Sequence, residues 1–186
     1  MKRKIACLLL AGMLAFSGCG SKGADDAASG SGKSDADIMV EVEMPAAYVG
    51  GQTQEDLDKL AAEYGFESVA LNEDGSATYK MTKQQQDVFL EEYREQIRGL
   101  LDDMVASADY PNITKVESND NFTEFTVTTK NKELDVNESV SSIVFYGYGI
   151  IYGIFSGEES DNISVTFLNE ETGDVISTSN SKDMQE

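Results

Sequence analysis

From Ile38 onward the apolar positions change period in a repeating order. Ile38, Val40, Val42 and Met44 alternate with Met39, Glu41 and Glu43, the period of a strand with one covered face, and Pro45 stops the run. After a loop containing Gly50-Gly51, Thr53 stands as an N-cap before Leu57, Leu60, Ala61 and Tyr64, which share one face of a helix. Gly65 is placed to close that helix in the left-handed conformation, with Phe66 folding back as its apolar partner. Residues 66–71 and 76–81 then flank Asn72-Glu73-Asp74-Gly75, a short-range hairpin signal.

The same order recurs twice. Thr82 with Gln85 reads as a capping box. Phe89, Tyr93, Ile97, Leu100/Leu101, Met104 and Ala108 follow at three- or four-residue spacing, which predicts a long helix over 83–107. Residues 113–116 and 122–128 flank Ser118-Asn119-Asp120-Asn121 as a second hairpin. Asp135 with Glu138 opens a third apolar segment, 140–155, and residues 163–168 and 175–178 flank 169–174 as a third hairpin. Three helix–hairpin units behind an opening strand predict an α+β fold. The expectation is a mainly antiparallel sheet of about seven strands packed with three helices, in a single domain over 38–180 followed by a polar tail, 181–186.

The third apolar segment carries a conflict. Ile143 to Phe155 is almost wholly apolar but contains Gly147, Gly149 and Gly153 and several β-branched residues, so propensity also allows a strand pair. The cap and the place in the repeat favour a helix. That run falls short of the ~20 residues of a membrane span. It reads as a buried core helix, or alternatively as an exposed apolar patch that binds a partner.

Ahead of the domain the chain changes character. Lys2, Arg3 and Lys4 precede the apolar run Ile5 to Phe16, too short to span a bilayer but of the length and polarity of an export signal. Residues 20–37 hold no apolar side chain larger than Ala and predict a flexible tether. Between them, Ser17-Gly18-Cys19 resembles the lipobox of bacterial lipoproteins, with Phe16 where that motif usually has Leu. The resemblance implies removal of 1–18 as a signal peptide and a diacylglycerol thioether on Cys19. The protein is then exported and held at the outer face of the cell membrane, with 19–37 as tether. The tether and the runs Glu63-Tyr64-Gly65-Phe66-Glu67-Ser68, Asn72 to Ser76 and Met81-Thr82-Lys83 resemble small uncharacterised lipoproteins of Gram-positive bacteria, some labelled as similar to an adhesin N-terminal domain. That resemblance implies a lipid-anchored α+β domain and supplies no catalytic residue.

Composition narrows the chemistry. The 186 residues hold 14 Lys+Arg against 34 Asp+Glu, a net charge of −20, which argues against nucleic-acid partners. Loss of Lys2, Arg3 and Lys4 with the signal would take this to −23. There is no His, so imidazole-dependent triads and metal sites have no ligand. Cys7 would leave with the signal and Cys19 would be consumed by lipid, leaving no thiol chemistry. Asn72 to Gly75 hints at a calcium loop, but an EF-hand frame puts Ala70 and Met81 at ligand positions, so a hairpin turn is expected. Glu91, Glu92, Glu95, Asp102 and Asp103 lie mostly off the apolar stripe and beside Arg94 and Arg98, a solvated face rather than an acid/base pair. Ser179 and Lys182 have the spacing of a Ser-Lys nucleophile but sit in a polar tail. No catalytic, metal or cofactor residue is expected. The chain reads as an anchored module that binds a protein, peptide or glycan. The alternatives are a structural or envelope-maintenance lipoprotein and a carboxylate-based hydrolase.

Overall fold

The computed structural model describes residues 34–36, 38–158 and 161–184, within a unit running from Lys33 to Glu186. Strand β1 (Met39–Met44) is followed by a single turn of helix, α1 (Ala46–Val49), and by α2 (Gln54–Tyr64). Thr53 and Asp56 form a reciprocal capping box at the start of α2, and Gly65 closes it at φ 67°, donating its N–H to the Ala61 carbonyl. The hairpin β2 (Ser68–Leu71) and β3 (Ala77–Thr82) turns at Asn72 to Gly75, where the Asp74 carboxylate accepts the Ser76 N–H and hydroxyl. Those two bonds, the hydroxyl's first, hold Asp74 below its ordinary pKa. The expected turn is present. Helix α3 (Lys83–Met104) leads to the hairpin β4 (Ile113–Ser118) and β5 (Glu124–Thr129). Helix α4 (Val136–Ser156) leads to the hairpin β6 (Ser164–Asn169) and β7 (Val175–Asn180). The capping boxes Thr82/Gln85 and Asp135/Glu138 both form. Residues 140–155 are therefore helical. Ser181–Met184, read as the start of a polar tail, form a 3-10 turn in which the Ser181 N–H bonds the Ile163 carbonyl.

The class is α+β, but the expected seven-strand sheet is divided. Three strands form one sheet in the order β1-β3-β2 and four form a second in the order β4-β5-β6-β7. Every neighbour pair is antiparallel except β5 and β6, which run parallel. The cause is the linker: a helix joining two strands of one sheet carries the chain back to its starting end, so the second strand repeats the direction of the first. Helix α4 does this. Helix α3 instead delivers the chain from one sheet to the other, packing against β1, β3 and β4 on the way. With α1 the count of α-helices among the described residues is four rather than three.

One core serves both sheets. Phe89, Tyr93, Ile97 and Leu101 of α3 are buried as the spacing predicts, while Met104 is half-buried. Phe155, near the end of α4, lies tilted 4.4 Å from Phe89 and edge-on 5.1 Å from Tyr79 of β3, and Phe125 of β5 stacks 4.9 Å from Phe145 of α4. The rings form two groups, one joining the first sheet and α3 to Phe155 and the other joining Phe122 and Phe125 to Phe145 and Tyr152, and α4 contributes to both.

Candidate functional site

The residue that sets the rotation of α4 about its axis is Glu138, buried at 1% exposure. One carboxylate oxygen accepts the Thr129 hydroxyl at 2.5 Å, from the end of β5. The other accepts the Asn131 side-chain amide and the Asp135 backbone N–H, each at 3.0 Å. The same carboxylate therefore caps the helix and pins it to the sheet. Ser142, Phe145, Gly149, Tyr152 and Phe155 then face inward. The Ser142 hydroxyl accepts a bond from Ser179 at 3.1 Å, and Tyr152 stacks edge-on against Phe122 at 5.1 Å. At Gly149 α4 lies close against the chain beneath it. A Cβ there would lie 2.2 Å from the Phe122 carbonyl oxygen and 2.7 Å from Ile163.

The opposite side of α4 is unusual for a helix facing water. Val136 is 77% exposed, Val140 54%, Ile143 52% and Val144 41%. Ile150, Ile151 and Ile154 continue the stripe, partly covered by the core. At ~100° per residue all seven side chains lie within about 60° of Gly147, which marks the middle of the face. A Cβ on Gly147 would meet nothing within 4 Å among the described residues. The one charged residue of α4 is Glu138, and it points inward. Fully burying an exposed Val or Ile side chain is worth ~1.5–3 kcal/mol, and these partly covered side chains would gain a share of that from whatever covers them.

At one edge of the stripe stands Tyr148, whose hydroxyl burial keeps above the ordinary tyrosine pKa, with Tyr110 adding to the shift. Burial does the same more strongly to Tyr93, across the helix pair, with Tyr148 contributing. Arg94 of α3 donates to the Tyr152 hydroxyl and to Glu91, and its guanidinium lies 5.5 Å from the Tyr152 ring centre. These contacts fasten α3 to α4 along the side of the stripe and leave its outward surface open.

The length of α4 corrects one part of the sequence reading. At 21 residues it is long and apolar enough to cross a membrane, so length does not exclude a span. Its setting speaks against one. The strands it joins pair with each other in one sheet, and its inner face is packed among phenylalanines.

The other candidates separate clearly. Glu91, Glu92, Glu95, Asp102 and Asp103 are all exposed on α3, and the Ser179 hydroxyl bonds Ser142 rather than Lys182. Cys19, the expected lipid site, and Cys7 lie outside the described residues. Among the described residues no group of three or more His, Cys, Asp or Glu is gathered to hold a metal. Sequence reasoning named both a core helix and an exposed patch for 140–155, and α4 is both at once. The available signal was an apolar circumference on a helix lying against a sheet, which can cover only one side of it.

No known protein family, curated protein or solved structure matches the chain.

Proposed function

We propose that this protein is an exported lipoprotein, held at the outer face of the cell membrane by diacylglycerol on Cys19, whose domain binds another protein through the outward face of α4. The observation that carries the binding reading is the aliphatic stripe Val136, Val140, Ile143 and Val144 on a helix with no outward charge. An aliphatic strip without outward hydrogen-bonding groups suits a protein surface better than a glycan, whose hydroxyls need polar partners. The anchoring reading rests on Ser17-Gly18-Cys19 behind a basic and apolar leader and ahead of a Gly/Ser/Asp tether. The binding role is non-enzymatic.

Crosslinking in intact cells, followed by recovery of the protein with its neighbours, tests both parts. Wild type should bring down a protein in defined ratio, and Ile143→Lys should lose it while remaining folded. Unchanged recovery with Ile143→Lys would remove α4 from the proposal. Cys19→Ala should shift the protein out of the membrane fraction, since a single hydrophobic anchor is lost. Full retention in that fraction would end the lipoprotein reading.

A further inference from the structure

We propose that the occupant of the α4 face is the α4 face of a second copy, the two helices crossing antiparallel at Gly147. This rests on the proposed protein-binding role of that face and names its partner.

The first support is Gly147 itself. Glycine inside a helix costs about 0.5–1 kcal/mol relative to alanine, and no described residue of its own chain requires this one. Its neighbour glycine at 149 is forced by the Phe122 carbonyl at 2.2 Å, whereas a side chain on Gly147 would enter open space. A bare backbone in the middle of an apolar stripe lets another helix approach closely.

The second support is the symmetry of the stripe. Counting outward from Gly147, Val144 and Ile143 stand three and four residues before it, and Ile150 and Ile151 three and four after. Val140 and Ile154 stand seven before and seven after. A two-fold contact demands that if residue i meets residue j, then j meets i. An antiparallel crossing at Gly147 brings Ile143 against Ile151, Val144 against Ile150 and Val140 against Ile154, twice each, while Val136, at the outer end, has no counterpart within the helix.

The third support is charge. Two copies, each at −20, repel everywhere except across a neutral face. Helix α4 has no charged residue from Ser139 to Ser156. A lipid surface fits less well, because helices that lie in a bilayer interface carry Lys and Arg along their flanks and α4 carries neither.

Sedimentation of the full chain over a range of concentration and salt is the direct test. We expect a reversible dimer that tightens as salt screens the acidic bodies. Gly147→Leu should weaken dimerisation by about tenfold or more while raising, not lowering, the unfolding midpoint of the monomer. For orientation, copies carrying Val140→Cys are coexpressed with copies carrying Ile154→Cys, the chain without added cysteines serving as background. Antiparallel packing predicts that the mixed 140–154 crosslink exceeds 140–140. A chain that stays monomeric, or a dominant 140–140 crosslink, would overturn the inference. So would dimerisation indifferent to Gly147→Leu, or Ile143-dependent binding to phosphatidylcholine vesicles by a monomer. If the chain is monomeric and Ile143→Lys still abolishes capture of a different protein, the binding role of the face stands and self-association is wrong. If Ile143→Lys alters neither capture nor self-association, both readings fail.

Discussion

Helices α3 and α4 are nearly the same length, 22 and 21 residues, open with the same kind of capping box and pack against each other. Their outward faces are opposites. Helix α3 shows water Glu91, Glu92, Glu95, Asp102 and Asp103, with Lys83 paired to Asp87 at 2.8 Å and Arg98 to Asp120 at 3.1 Å. Such exposed pairs add little stability, ~0–1 kcal/mol each, yet they keep this face mainly charged, with Val88 at 54% and Leu100 at 38% exposure as its apolar exceptions. Helix α4 shows water valine and isoleucine. The difference is not one of core packing, since both inner faces are covered by aromatic and aliphatic side chains. It separates a helix that is complete as the chain folds from one whose outer half is still short of neighbours.

Removal of inner-face side chains should hurt both helices alike. Phe145→Ala on α4 and Ile97→Ala on α3, each at 0% exposure, should cost ~3–5 and ~2–5 kcal/mol in denaturant unfolding. A small loss at Phe145 would mean that α4 is not anchored as a core element. The glycines of α4 sharpen the contrast within one helix. Gly149→Ala should destabilise by ~1–3 kcal/mol through overpacking against Phe122 and Ile163. Gly147→Ala should raise the stability of the monomer by ~0.5–1 kcal/mol. Thermal midpoints that moved in the same direction would erase the distinction between the two faces.

Between the helices, Tyr93 gives a titration that reports on their contact. Burial favours its neutral form, so its folded pKa stands above the 10.0 of an unfolded tyrosine. The unfolded chain therefore ionises first: the tyrosine's contribution is intact below pH 10.0 and is lost as pH rises toward the folded value. Tyr93→Phe should flatten part of the fall in stability between pH ~9 and ~11.5, measured by denaturant midpoints. An unchanged slope would mean that the hydroxyl is solvated. The smallest effects belong to the outward faces. Glu95→Ala and Ile143→Ala should each change monomer stability by less than ~0.5 kcal/mol. Only the second should alter association.

The local features were legible in the chain because their determinants are local. Thr82 and Gln85 are three residues apart, as are Asp135 and Glu138, and each pair closes its own box. Gly65 sits at the one place in its helix that needs a positive φ. All seven strands appear because alternation and turn residues lie within a few positions of one another. The division into two sheets was hidden, since nothing within reach of residues 83–104 says whether the next hairpin rejoins β3 or starts a new sheet. The parallel β5–β6 pair was hidden for the same reason. Periodicity was silent on the outward face of α4 because an apolar circumference has no phase. The side that sinks is chosen by Glu138 reaching Thr129 and by Phe122 meeting Gly149, contacts made between elements. Phe122 itself sits at φ 54°, a backbone state that a bulky aromatic rarely adopts and that no spacing rule would assign to it.

The parallel pairing of β5 with β6 bears on the order in which the molecule is assembled in time. Glu124 lies opposite Ser164, 40 residues further along, whereas the β2–β3 ladder joins Leu71 to Ala77. Closing the longer loop carries the larger entropic cost, and pairings of high sequence separation form late. The hairpins β4–β5 and β6–β7 can each zip early, but each then carries an unsatisfied inner edge. Helix α4 must form and dock before those edges meet. Until it does, the nascent chain holds two open strand edges and a bare aliphatic helix at once, so the vulnerable interval in its folding is the waiting time for α4 to dock.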